Sequence, residues 1–190
     1  MKSLLTLLED YIQLESDVML QISGILRKAR YSKGSILLQP GDISDKVYFI
    51  ETGVVREIFI HKQTGEEFTT QIVAENTFFY STLNFLNRFP SDRVVEVLED
   101  CTLISIRKDD LEYWCRKVPE VEHFNRVMLE KSLIEAEKRA EITRLRKPQD
   151  KLEAFERLHP ELCNRIALGY VASFLNITPQ TLSKVRRNRI

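Results

Sequence analysis

The side chains best equipped for chemistry stand near the C-terminus. Thr178-Pro179-Gln180-Thr181-Leu182-Ser183-Lys184 leads into Arg186, Arg187 and Arg189. Gln180 has the donor–acceptor pair that matches an adenine edge, and Lys184 can donate to the acceptors of guanine. Thr178, Thr181 and Ser183 add hydroxyls, while Arg186 and Arg187 can neutralise phosphates and release counterions. A helix starting at Thr178 would also aim its free backbone amides at a phosphate. The chemistry within reach of this group is recognition of a nucleic-acid duplex.

The surrounding spacing says how these residues are held. Apolar residues fall at Ile166, Val171, Leu175, Ile177, Leu182 and Val185, with Ala172 small where a crossing helix must come close. Asn176 stands where the chain must turn, and Asn tolerates positive φ better than any residue but Gly. Thr178 offers a hydroxyl cap and Pro179 a first-turn proline. Two short helices, a three-residue turn and an apolar inner face on both make a helix-turn-helix. An ordinary helical hairpin with a solvated basic face has the same spacing, and charge separates the two. The 190-residue chain balances 28 basic against 28 acidic residues, yet no acid follows Glu161. From Asn164 onward stand Arg165, Lys184, Arg186, Arg187 and Arg189, so that end carries +5 and the remainder −5. Salt screens attraction beyond about 8–10 Å, so a basic end matters more than a neutral average.

Other constellations carry less. Glu66-Glu67 and Asp109-Asp110 are adjacent pairs; neighbours point to opposite sides of a strand and do not share a helix face, so neither is an acid–base couple. There is no Gly-rich phosphate loop, nucleophile elbow or His/Cys metal spacing, and an enzyme is not expected. His61 and His123 stand alone and read as surface residues. Cys101, Cys115 and Cys163 are scattered and odd in number, as free thiols of a reducing cytoplasm are. Hydrophobic residues at 43% and charged residues at 29% can bury a core, which excludes disordered and disulfide-stapled classes. No apolar run reaches the ~18 residues of a membrane helix. The leucine-rich start carries Glu9 and Asp10 and reads as an amphipathic surface helix, not a signal peptide.

The elements that must position the C-terminal group form four stretches. The first, Ser3 to about Arg30, has helical spacing, with Ser16 and Asp17 as candidate caps. The second, about Tyr31 to Ile106, holds short runs at Ser35–Gln39, Val47–Ile50, Val54–Ile60, Glu67–Val73, Val94–Leu98 and Thr102–Ile106. Pro40-Gly41-Asp42, Thr52-Gly53 and Lys62–Glu66 supply turns. In Val54–Ile60 alternate residues are expected to face opposite ways. This is the texture of antiparallel β. In the third stretch Asp109-Asp110-Leu111-Glu112 has capping-box spacing, and Pro119 suits a helix start. No Gly or Pro then occurs until Pro148, which predicts a helix of about 40 Å. Leu129, Leu133, Ala136 and Ala140 form a heptad-like seam along it, suited to packing on the domain's own sheet or, preferably, on a twin helix. The fourth stretch, Gln149 to Ile190, is a helical unit with helices around Leu152–Leu158, Ala167–Leu175 and Thr178–Arg187.

A β-roll, one long helix and a terminal helix-turn-helix resemble the cyclic-AMP receptor protein / fumarate–nitrate regulator (Crp/Fnr) family of bacterial transcription regulators. The resemblance spans nearly the whole chain. Its most specific pieces are Ile36–Asp42 with Val47–Gly53, and Tyr170–Ser183. It implies an α+β fold: an antiparallel β-roll (double-stranded β-helix, jelly-roll-like), a long dimerisation helix and a C-terminal helix-turn-helix. Residues 1–117 would be a cyclic-nucleotide-binding-like sensor, 118–147 the dimerisation helix and 148–190 the DNA-binding domain. Thr178, Gln180, Thr181 and Lys184 would occupy recognition-helix positions, with Ser183, Arg186 and Arg187 beside them. The expected partners are double-stranded DNA and a second copy of the chain, with RNA polymerase a further partner and no membrane.

Two departures qualify the resemblance. Where cyclic-nucleotide-binding members carry Gly-Glu, this chain has Tyr80-Ser81; where they carry Arg-Ser, it has Ser91-Asp92, with Arg93 displaced. Tyr80 lacks the backbone freedom of Gly, and Asp92 would repel a phosphate. An effector pocket is expected around Phe79, Tyr80, Ser81, Thr82, Ser91, Asp92 and Arg93, but not one for cyclic AMP, and no cofactor is expected. Phe78, Phe79, Tyr80, Phe85 and Phe89 suggest instead a collapsed aromatic core or an apolar ligand. The family's usual wing after the recognition helix is not expected, as in its short-tailed members, and no early cysteine cluster suits an iron–sulfur sensor. The alternative expectation is a small-molecule-binding module acting on a protein partner.

Overall fold

A computed structural model describes residues 4–188. Two helices open it, α1 (Leu4–Glu9) and α2 (Ser16–Ile25). Strands β1 (Arg27–Tyr31), β2 (Ile36–Leu38), β3 (Lys46–Thr52), β4 (Val55–Ile60), β5 (Glu67–Val73) and β6 (Thr77–Phe79) follow. After α3 (Thr82–Asn87) come β7 (Arg93–Val97) and β8 (Cys101–Arg107). The helices α4 (Lys108–Lys117), α5 (Pro119–Arg144), α6 (Pro148–Leu158), α7 (Leu168–Phe174) and α8 (Pro179–Arg187) complete the chain, with a 3-10 turn at Pro160–Leu162.

The strands pair antiparallel in two four-stranded sheets, ordered β1-β8-β3-β6 and β2-β7-β4-β5. Ile50, Val55, Phe79, Val95, Val97 and Leu103 fill the space between them. This is the antiparallel β that the turn-punctuated runs predict, in the α+β β-roll form that the resemblance implies. Two strands fall outside those runs. β1 is Arg-Lys-Ala-Arg-Tyr, an edge strand exposed at four of five positions, so it shows no apolar alternation. Its ladder to β8, Arg27↔Ser105 through Tyr31↔Cys101, holds it, and the opening helical stretch stops at Ile25 instead of near Arg30. β6 has only three residues. The alternation expected for Val54–Ile60 is also hidden: Val55, Arg56, Glu57 and Ile58 are all buried, because both faces of β4 are covered. At the end of β3, Gly53 adopts φ 103, and a Cβ there would collide with Cys101 Sγ.

Two cap assignments are corrected. Ser16 begins α2, and Glu15 takes the cap position without a side-chain bond. Asp109–Glu112 forms no capping box; Arg107 takes the N-cap position of α4 without a side-chain bond, and Asp109 and Asp110 lie in the first turn, where carboxylates complement the helix dipole. α5 ends at Arg144, and Pro148 starts α6 instead of stopping α5. Its 26 residues span about 39 Å. One face of α5 places Phe124 and Met128 against α1 and the outer side of the first sheet, beside Phe49. Ile142 joins a core shared by Val54, Ile72, Ala74 and Leu98 of the roll and Leu152, Phe155, Phe174 and Leu182 of the last helices.

Candidate nucleic-acid interface and sensor cavities

The helix-turn-helix is built as its residue types require. Asn176 has φ 52, and the Ile177 amide reaches back to the Ala172 carbonyl at 3.0 Å, closing the turn. Thr178 caps α8: its hydroxyl accepts from the Thr181 amide at 3.1 Å. Val171, Ala172, Leu175 and Leu182 are buried together, so α8 is anchored by its inner face. Lys151, itself buried, donates to the Leu175 carbonyl at 2.8 Å and closes the C-terminal end of α7 with a cation. The outward residues of α8 behave differently. Thr178, Gln180, Lys184 and Arg187 are exposed, whereas Thr181, Ser183 and Arg186 are half-buried. Arg186 donates to the Asn164 side chain at 3.2 Å.

The docking of this unit on the roll has no sequence signal. α7 lies against β5, an edge strand. Ser173 Oγ accepts from the Thr69 amide at 2.9 Å and donates to the Glu67 carbonyl at 3.3 Å, so the helix satisfies part of an open sheet edge. Arg56 stacks over the Tyr170 ring at 4.0 Å while paired with Glu96 at 2.7 Å. Arg165 forks between Glu75, at 2.9 Å, and Glu99, at 3.1 Å. One of the five C-terminal cations is therefore neutralised internally. The Arg165 guanidinium, with the Gly53 amide, draws the Glu75 carboxyl down to about 2. The hydrogen-bonded pairs made by Arg165 and Ser173 lie 66 to 106 positions apart in sequence, which no spacing pattern reveals.

The expected effector pocket is not one site. Phe79 and Ser81 line an inner cavity of ≈ 270 Å³ with Leu38, Asp42, Asp45 and Tyr48. Tyr80 instead faces a separate groove of ≈ 1040 Å³ between the first sheet and α5. Thr82 is exposed at the start of α3, and Ser91 is buried, its hydroxyl donating to the Arg93 carbonyl at 3.2 Å. Asp92 pairs with Arg93 at 3.1 Å, and the Arg93 guanidinium sits over the Phe59 ring at 4.6 Å. Thr82, Ser91, Asp92 and Arg93 line neither cavity. The aromatic group also divides. Phe79 enters the roll, Phe78 packs on Phe49 and Phe124, Tyr80 on Phe85, and Phe89 is exposed. A single collapsed aromatic core is thus not formed: Phe78 and Phe79 alternate between the two faces of β6, and Phe89 is exposed.

On α5, Leu129 and Leu133 are exposed, and Ala136 and Ala140 half-buried, with Leu129 also lining the groove against the roll. Cys101, Cys115 and Cys163 are free. His61 contacts Thr64, and His123 contacts Arg126. Among the described residues no group of three or more His, Cys, Asp or Glu could hold a metal ion, and no helix is long and apolar enough to cross a membrane.

A β-roll followed by a long helix and a terminal helical unit defines the Crp-like architecture. Residues 28–117 match the family model described as cyclic nucleotide-binding domain. Solved structures of like fold include FixK2 from Bradyrhizobium japonicum, 18% identical, TM-score 0.69, covering 86% of this chain and 84% of that one. The c-di-GMP responsive global regulator CLP of Xanthomonas campestris is 14% identical, TM-score 0.70, covering 92% and 91%. A CooA mutant from Carboxydothermus hydrogenoformans is 19% identical, TM-score 0.68, covering 98% and 84%. No curated protein matches the chain.

Proposed function

We propose that the chain is a homodimeric transcription regulator of the Crp/Fnr type, binding pseudo-palindromic DNA through α8 and sensing a small molecule with its roll. One observation carries this reading: α8 is anchored by Leu182 while Thr178, Gln180, Lys184 and Arg187 are exposed on its outer side. Those side chains supply base-edge and phosphate contacts in one groove-sized element. The α5 strip of Leu129, Leu133, Ala136 and Ala140 is the proposed dimer seam, and two recognition helices one DNA turn apart, ~34 Å, fit a two-fold operator. Cyclic AMP is not the proposed effector. Of the two arginines between Glu75 and Val95, Arg93 is engaged with Asp92 and Phe59 and Arg88 with Asp109 and Glu112, and the inner cavity presents Asp42 and Asp45.

Incubation with genomic fragments followed by gel shift tests the proposal. Retention of a subset sharing an inverted repeat is the expected outcome; no retention at low salt would remove the DNA-binding claim. A second reading, a sensor module acting on a protein, draws on the docking of α7 against β5. That outcome would leave light scattering dimeric and DNA unbound.

A further inference from the structure

The groove between the outer face of the first sheet and α5 is the largest cavity described, ≈ 1040 Å³. Small-molecule sites run to roughly 1,000 Å³, so it has room for a ligand. Its walls are apolar where Phe78, Phe85, Phe124 and Met128 meet. Its end beside α6 is not. There Arg139 is half-buried and lines the cavity, and among the described residues its guanidinium has no hydrogen bond or ion pair. His159 lines the same end, and its Nε2 is buried with no partner. Buried polar groups are nearly always satisfied, so the orphaned Nε2, beside an unpaired guanidinium lining the same cavity, points to a missing partner.

The charges nearby define that partner. Lys138 is paired with Glu135 at 2.8 Å. Glu57 accepts from the Thr70 hydroxyl at 2.7 Å and acts on Arg139 from a distance. His159 Nδ1 lies 3.5 Å from Glu161. Glu161, Glu135 and Arg139 are the charged groups acting on His159, and α6 and α7 present it with the Phe155 and Phe174 rings. Lys138 and Arg139 are outnumbered by Glu57, Glu135 and Glu161, so a singly charged ligand that brings a proton to His159 is better matched than a doubly charged one. A guanidinium matches a carboxylate fork. With Nδ1–H directed to Glu161, neutral His159 presents a lone pair at Nε2, and only the protonated ring donates there.

We propose that this groove binds a small amphipathic monocarboxylate, its apolar body along Phe78, Phe85, Phe124 and Met128 and its carboxylate on Arg139. His159 takes up a proton as the carboxylate arrives and donates from Nε2. The site is distinct from the inner cavity of the roll, and ligand binding is read without DNA, so its failure leaves the DNA proposal standing.

Isothermal titration of the full chain with decanoate, decan-1-ol and decyl phosphate, each below its micelle concentration, tests it. Decanoate should bind saturably, about tenfold tighter than the alcohol or the phosphate, as a charge-assisted fork to one anion predicts. Its affinity should rise from about pH 8 to about pH 6, with proton uptake seen as buffer-dependent heat. Arg139→Gln should reduce decanoate binding to the level of the alcohol. Leu86→Asp, at an exposed position lining the groove, should weaken both ligands without loss of fold. The absence of saturable decanoate binding, unchanged binding by folded Arg139→Gln, or equal affinity for decyl phosphate would overturn the proposal. If Arg139→Gln does not fold, unchanged decanoate affinity in Leu86→Asp overturns it.

Discussion

Lys184 and Arg187 are three residues apart on the exposed side of α8, yet they predict different losses. A base-edge donor discriminates, so Lys184→Ala should weaken binding by about 1–3 kcal/mol at one base position and leave random DNA nearly unaffected. A phosphate contact does not discriminate. Arg187→Ala should weaken every sequence and lower the salt slope by about one. Anisotropy titrations of operator and random duplexes over a salt series separate the two. Equal losses on both duplexes for Lys184→Ala would make it a phosphate contact. Thr178 acts through the backbone. Thr178→Ala removes the cap on the Thr181 amide and should lower unfolding stability by about 1 kcal/mol in urea titrations.

At the scale of elements, α5 presents two faces with different fates. Phe124, Met128 and Ile142 are covered by the roll and its neighbours, whereas Leu133 is 71% exposed. An exposed leucine contributes little to the fold of one chain but much to a helix pair. Leu133→Glu should therefore turn dimer into monomer by light scattering, with only a small change in melting temperature at a concentration where the parent is already dissociated. The same contrast explains what the sequence makes legible. β3, β4, β5, β7 and β8 are apolar runs between turn residues, and α8 announces itself by Asn176, Thr178 and Pro179. β1 carries its information in backbone pairing to β8, and its exposed Arg and Lys side chains reveal none of it. The cavities were legible only in part. The loop from Glu75 to Val95 is visible as a sequence of polar and aromatic residues, but which face each one takes depends on the strand pairing Tyr48↔Phe79 and on the fold of α3. Arg139 and His159 lie on segments that read as an ordinary charged helix and a helix stop.

The molecule as a whole joins what composition and charge divide. Residues of the roll, of α5 and of the last three helices share one buried cluster. Val54, Ile72, Ala74 and Leu98 would lose their cover if the terminal helices left, so the roll and the terminal helices are energetically linked through packing. Arg165 adds a charged latch to that interface. In the folded chain the Glu75 carboxyl, ordinarily near 4.5, is held down to about 2, first by its bond to Arg165. A carboxylate with a depressed folded pKa stabilises fully above its unfolded value and loses that contribution as protons bind. The latch therefore acts at neutral pH and weakens as pH falls from about 4.5 toward 2. Arg165→Ala should lower the urea midpoint at pH 7 and flatten its decline over that acid window. The same variant should speed amide exchange in α7 and at the Thr69 amide of β5, which Ser173 holds, while β3 and β8 in the roll keep parental protection. Exchange accelerated equally in β3 and β8 would mean that Arg165 supports the whole fold, and unchanged exchange in α7 would mean that packing of Leu152, Phe155 and Phe174 alone holds the terminal helices in place.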